Sequence, residues 1–160
     1  MTDVETTTTT STQDIAARVA ELLTPVVHDL TALMVNGKQA HWHVRGSNFT
    51  GVHELLDTVV DHARDWADLA AERVVALRMP VDARLWTVAA NANAPEPPAG
   101  FLQADDTIRA VIAGIDAALK SVNRAVKELP NIDPISQDAA IEIGAGLDKD
   151  RWFLFSHISE

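Results

Sequence analysis

Cysteine is missing from all 160 residues, which removes both a disulfide framework and any thiolate metal site. Long apolar runs are missing too: no stretch approaches the ~20 residues needed to cross a bilayer. The N-terminal residues lack the basic and apolar regions of a secretory signal, so the expected compartment is the cytoplasm of a bacterial-type cell. Basic residues are scarce. Thirteen Lys and Arg stand against 23 Asp and Glu, a formal net charge of −10. Such a chain repels a phosphate backbone. Neither the first 14 residues, which hold no Lys or Arg, nor the Ser159-Glu160 end supplies a basic extension to overcome that repulsion. DNA is therefore a disfavoured partner, whereas cations are attracted. No glycine-rich phosphate loop or G-x-S-x-G elbow occurs, so nucleotide chemistry and a conventional serine hydrolase lack support.

What is present is enough for one domain with a substantial core: 47% of the residues are hydrophobic. Residues 1–11, dominated by Thr6 to Thr10, have few apolar groups and are expected to form a flexible tail, with the folded domain spanning 12–160. Helical spacing of Ile15, Val19, Leu22, Leu23, Val26, Val27, Leu30 and Leu33 predicts a first helix from about Gln13 to His43, capped by Ser11 or Thr12. Pro25 should kink or restart it. Gly46 and Ser47 break the chain, Asn48 is a cap candidate, and a second helix is expected from Phe49 to Arg78, ended by Pro80.

Residues 81–100 read as irregular, with a short helix near Ala83 to Ala90 and a stiff Pro-rich connector. Ile108, Val111, Ile112, Ile115, Leu119 and Val122 place a third long helix from Ala104 to Leu129. Asp133 and Pro134 are the N-cap and first-turn proline of a last helix, to about His157. Four long helices and no convincing strand give an all-α bundle.

The second helix carries the chemistry. His53 and Asp57 are four residues apart, as are Asp68 and Glu72, so each pair shares a helix face. The 11 positions from Asp57 to Asp68 add only about 20° of rotation, so all four side chains lie along one stripe, roughly opposite Leu56, Val59, Ala63, Trp66, Ala70, Val74 and Leu77. Asp57 and Asp68 are also roughly 16 Å apart along the axis. No single site with bonds of about 2 Å can use both pairs from one helix. A second copy running antiparallel across a two-fold axis would bring Asp68 and Glu72 of one chain opposite His53 and Asp57 of the other, with His41 just upstream. Mixed imidazole and carboxylate donors suit iron, manganese or zinc better than magnesium or calcium.

The same stretch carries a resemblance. Lys38-Gln39-Ala40-His41-Trp42-His43-Val44-Arg45-Gly46-Ser47-Asn48-Phe49, then Val52 to Asp57, Asp68 and Ala71-Glu72-Arg73 resemble the signature of the Dps family, the mini-ferritins named as DNA-binding proteins from starved cells. A weaker match continues at Leu147-Asp148-Lys149, Trp152 and Phe153. The resemblance implies a ferritin-like four-helix subunit with a long crossover between helices 2 and 3, assembled as a hollow dodecamer. It also implies ferroxidase centres at two-fold interfaces that oxidise Fe²⁺, with hydrogen peroxide as the usual oxidant, and store Fe³⁺ as a mineral.

On this reading His41, His53 and Asp57 of one subunit and Asp68 and Glu72 of its mate hold two iron ions, Glu72 being the strongest candidate for a bridging ligand. Trp42, next to a ligand, is a candidate to intercept oxidising equivalents. Relatives line acidic pores near the start of the last helix, where Asp138 and Glu142 are one turn apart, while Asp133 is equally suited to a helix-dipole role. His28, His43, His62 and His157 are expected outside the centre, and Asp61 and Asp65 solvated or in surface pairs, with one of them a candidate to hydrogen-bond a metal ligand. A rival reading uses the same ligands for metal-dependent hydrolysis of an amide or ester, through metal-bound hydroxide.

Overall fold

A computed structural model describes residues 11–158; the expected Thr-rich tail, apart from Ser11, lies outside the described residues. Ser11 belongs to the folded domain as the cap of α1 (Thr12–His43). Its hydroxyl accepts from the Asp14 amide and the Asp14 carboxylate accepts from the Ser11 amide, both at 3.1 Å, a reciprocal capping box. Pro25 neither breaks nor restarts the helix, which runs 32 residues through it. The lost hydrogen bond is offset by Leu22, Leu23, Val26 and Val27, buried on both sides of the proline.

The other helices are α2 (Phe49–Ala76), α3 (Leu85–Asn91), α4 (Ala104–Glu128) and α5 (Pro134–Phe155). α2 ends at Ala76, just before the expected Arg78. Arg78 takes φ 64°, its amide donates to the Val75 carbonyl at 2.8 Å, and the Met79 amide reaches back to Val74 at 3.3 Å. That is a left-handed termination of the Schellman kind with arginine in place of the usual glycine. Asn48 stands at the α2 N-cap with φ 58°, but its side chain makes no capping bond; its amide instead meets His157 Nδ1 at 2.7 Å.

The expectation of no strand needs a local correction. β1 (Val44–Arg45) and β2 (Leu102–Gln103) pair in parallel, Val44 opposite Leu102. Two residues are too few to leave a periodic signal, and the pairing arises only because the crossover returns beside the α1–α2 link. Among the described residues no helix is long and apolar enough to cross a membrane.

α1 packs on α2 and α4, and α5 on α4 and α2, which closes a four-helix bundle. Leu23, Leu30, Leu56, Ile108, Ile115, Ile143, Leu147 and Leu154 fill its centre. The crossover is tied in by a buried polar contact that periodicity cannot show. Asp29 of α1, fully buried, accepts from the Asn93 amide at 2.6 Å and from the Ser121 hydroxyl of α4.

Candidate metal centre

The last turn of α1 and the first turns of α2 meet at His41 and His53. Their rings stack with centroids 3.7 Å apart and planes 22° apart. Each ring is held by the other's main chain. His41 Nδ1 donates to the His53 carbonyl at 2.9 Å, and His53 Nδ1 donates to the His41 carbonyl at 3.0 Å. A carbonyl can only accept, so each Nδ1 carries a proton, and in the neutral form of either ring the lone pair lies on Nε2. Anchoring one ring nitrogen to fix the other is how metal-binding histidines are prepared.

Asp57, one turn beyond His53, completes this half. The Lys38 ammonium binds its carboxylate, and His41 Nδ1 lies 3.3 Å away. The Lys38 hydrogen bond holds the Asp57 carboxyl below its ordinary range, against burial as the next largest influence and with help from the Lys38 charge and from His41 and His53 when protonated. Sequence reasoning passed over Lys38, although its place three residues before His41 puts it on the same face of α1.

Asp68 and Glu72 lie farther along α2, both exposed. They share the stripe with His53 and Asp57 but are roughly 16 Å along the axis from them. Among the described residues of one chain, no three His, Asp or Glu side chains converge as a metal group would require. One chain therefore stacks His41 on His53 and sets Asp57, bound by Lys38, against His41 without closing a three-donor group, and it leaves Asp68 and Glu72 apart. The donor chemistry still fits a borderline cation: two imidazoles with fixed Nε2 atoms and an ionised carboxylate.

The remaining candidates separate cleanly. Trp42 is 62% exposed beside His41. Asp138 and Glu142 are both exposed on α5. Asp133 is a different kind of residue: although at the N-cap, its side chain makes no capping bond and accepts from Arg73 at 2.6 Å and from the Ser136 hydroxyl. Burial disfavours its charge, but the bonds from Arg73 and Ser136 outweigh that and hold its carboxyl below the usual range. It is a structural ion pair. His28 is buried against the Asp82 carbonyl at 2.8 Å, and His43 donates to the Gln39 carbonyl at 2.9 Å. Asp61 and Asp65 both pair with Arg64 on the surface.

Comparison with known proteins agrees with this architecture. Residues 20–160 match the ferritin-like domain family. A Dps from Microbacterium arborescens, solved in a high-iron form, is 56% identical, with a TM-score of 0.88 over 91% of this chain and 95% of that one. The DNA protection during starvation protein of Agrobacterium fabrum is 32% identical, covering 77% of this chain and 76% of the relative. The major subunit of the fine tangled pili of Haemophilus ducreyi is 30% identical, covering 88% of this chain and 74% of the relative. With a ferritin-like match over nearly its whole length and these relatives, the chain belongs to the Dps family of ferritin-like proteins.

Proposed function

We propose that this protein oxidises and stores iron, with Fe²⁺ as substrate at centres shared by two chains across a two-fold axis. The observation that carries the reading is the His41–His53 clamp, which fixes both rings through Nδ1, with the Asp57 carboxylate 3.3 Å from His41 Nδ1. Asp68 and Glu72, exposed farther along the same stripe, are the half that a second antiparallel copy would supply. His41, His53 and Asp57 of one subunit and Asp68 and Glu72 of the other would hold two Fe²⁺ ions, with Glu72 able to span them. Hydrogen peroxide accepts one electron from each Fe²⁺; its O–O bond breaks and two protons complete two waters. The Fe³⁺ then moves into the cavity of a homo-oligomeric shell, a dodecamer on the family pattern. Asp138 and Glu142 are the proposed acidic lining of its pores.

Supporting features are the formal charge of −10, which attracts Fe²⁺, and the high-iron state in which the Microbacterium relative was solved. The same charge argues against direct DNA binding, so no gel shift is expected in metal-free, low-salt buffer. We place the protein in the cytoplasm. The test is catalysed Fe²⁺ oxidation with peroxide and with oxygen, on wild type and on an Asp68→Ala/Glu72→Ala variant. The reading requires oxidation and retained iron in the wild type and loss of catalysed oxidation in the variant; unchanged activity would reject the site. Hydrolysis by the same ligands would appear as metal-dependent turnover of acyl substrates lost in the same variant.

A further inference from the structure

A second constellation lies on the far side of α2, where His62 is nine positions and about 180° around the helix from His53. His62 Nδ1 lies 3.0 and 2.9 Å from the two carboxylate oxygens of Asp150. Asp150 sits in the buried stripe of α5 between Leu147 and Leu154, with 2% of its surface exposed. Burial pushes its carboxyl up, opposed first by the His62 hydrogen bond. Among the described residues His62 is its one ion-pair partner.

As a structural device this pair is poor. A buried carboxylate facing an imidazole that is 42% exposed bears a desolvation cost that a leucine in the same stripe would avoid. What the carboxylate does achieve is orientation. It accepts a hydrogen bond from Nδ1–H and leaves the Nε2 lone pair of the neutral ring free. Trp66, one turn on, lies against the imidazole with centroids 5.1 Å apart. Trp66 is fixed in turn by Gly146, where an added Cβ would come within 2.0 Å of its ring. A buried carboxylate behind a half-exposed, braced imidazole is the arrangement that prepares a histidine for a metal.

A second donor is within reach along the helix, although its carboxylate now faces Arg64. Asp65 is three residues on, about 60° around the helix from His62, at the spacing where side chains meet. Its side chain is 67% exposed and its ion pair is with Arg64, itself 61% exposed, a contact weak enough to yield to a cation. We propose that His62 Nε2 and the Asp65 carboxylate form a second divalent-cation site of the zinc class, with Asp150 as its positioning residue and water in the remaining positions. No three protein donors converge here, so binding should be weaker and more reversible than at a closed structural zinc site. An imidazole ligand disfavours magnesium. The proposal does not depend on the iron chemistry of the other face.

Calorimetry with Zn²⁺ on the assembled His41→Ala/His53→Ala protein separates the two sites. We expect one Zn²⁺ per chain to remain, to be lost when His62→Ala is added, and to bind about tenfold more weakly with Asp150→Asn, the lower end of the usual effect of such partners. Absence of residual Zn²⁺ binding, or binding indifferent to His62→Ala, would overturn the proposal. Should the double variant fail to assemble, the wild-type shell gives the answer through carbethoxylation of His62 read by peptide mass. Zn²⁺ should slow modification and Mg²⁺ should not; equal modification with and without Zn²⁺ would overturn it.

Discussion

The imidazoles of His41 and His53 each donate from Nδ1 to the carbonyl of the other residue, at 2.9 and 3.0 Å, so the end of α1 and the start of α2 are locked through the side chains that would bind metal. On the proposed function, metal binding and local stability would therefore be coupled in the same two residues. His41 is 6% exposed, and its replacement removes the second donor to the His53 carbonyl, which keeps its helix bond. We expect His41→Ala to cost about 1 kcal/mol in metal-free protein, the net scale of one intramolecular hydrogen bond. Urea unfolding checks this; an unchanged midpoint would show that the clamp does not hold the two helices together.

Lys38 bound to Asp57 is a cation placed where the substrate's charge should go. Both side chains are more than a third exposed, so water screens the pair and its removal should change stability little. Metal affinity is the better measure. Lys38→Met should tighten Zn²⁺ binding at the His41 site about fivefold, the upper end for an exposed ion pair. Weaker binding would instead make Lys38 a residue that aims Asp57.

Much of this architecture was legible in the chain. The four long helices followed from apolar spacing, and the stripe of His53, Asp57, Asp68 and Glu72 followed from rotation per residue alone. What escaped depends on partners distant in sequence. The Val44–Leu102 pairing, the Asp29–Asn93–Ser121 contact and the His62–Asp150 pair join segments that only folding brings together. Asp133 shows the same limit from the other side. Its place before Pro134 correctly marked the helix start, but Arg73, 60 residues earlier, takes its side chain.

That ion pair predicts a pH dependence. The side chains of Arg73 and Asp133 are 20% and 13% exposed, and removing one partner of such a pair strands the other. Arg73→Ala should cost about 3 kcal/mol at neutral pH. Because the Asp133 carboxyl is held below its ordinary value, its contribution is present above the unfolded pKa and is lost as pH falls through the folded one. The gap between wild type and variant should therefore narrow below about pH 4. Thermal unfolding across pH measures it; a gap constant with pH would assign the cost to packing.

Gly146 is needed for space. A Cβ there would lie 2.0 Å from Trp66 Cζ2, so Gly146→Ala must displace the indole. We expect a loss of about 1–3 kcal/mol, as for other overpacked cores, with a shift in tryptophan emission. Full stability would mean that the ring has room to move.

If two chains share one centre, complementation between half-site variants restores activity. One variant, His41→Ala/His53→Ala, lacks the imidazole half; the other, Asp68→Ala/Glu72→Ala, lacks the carboxylate half. Each should be inactive alone. In a mixed two-fold pair, one of the two centres has lost both halves and the other is intact. Random co-assembly should thus restore about a quarter of wild-type Fe²⁺ oxidation, since roughly half of the pairs are mixed and each has one complete centre. Mixed shells as inactive as their parents would contradict a shared site.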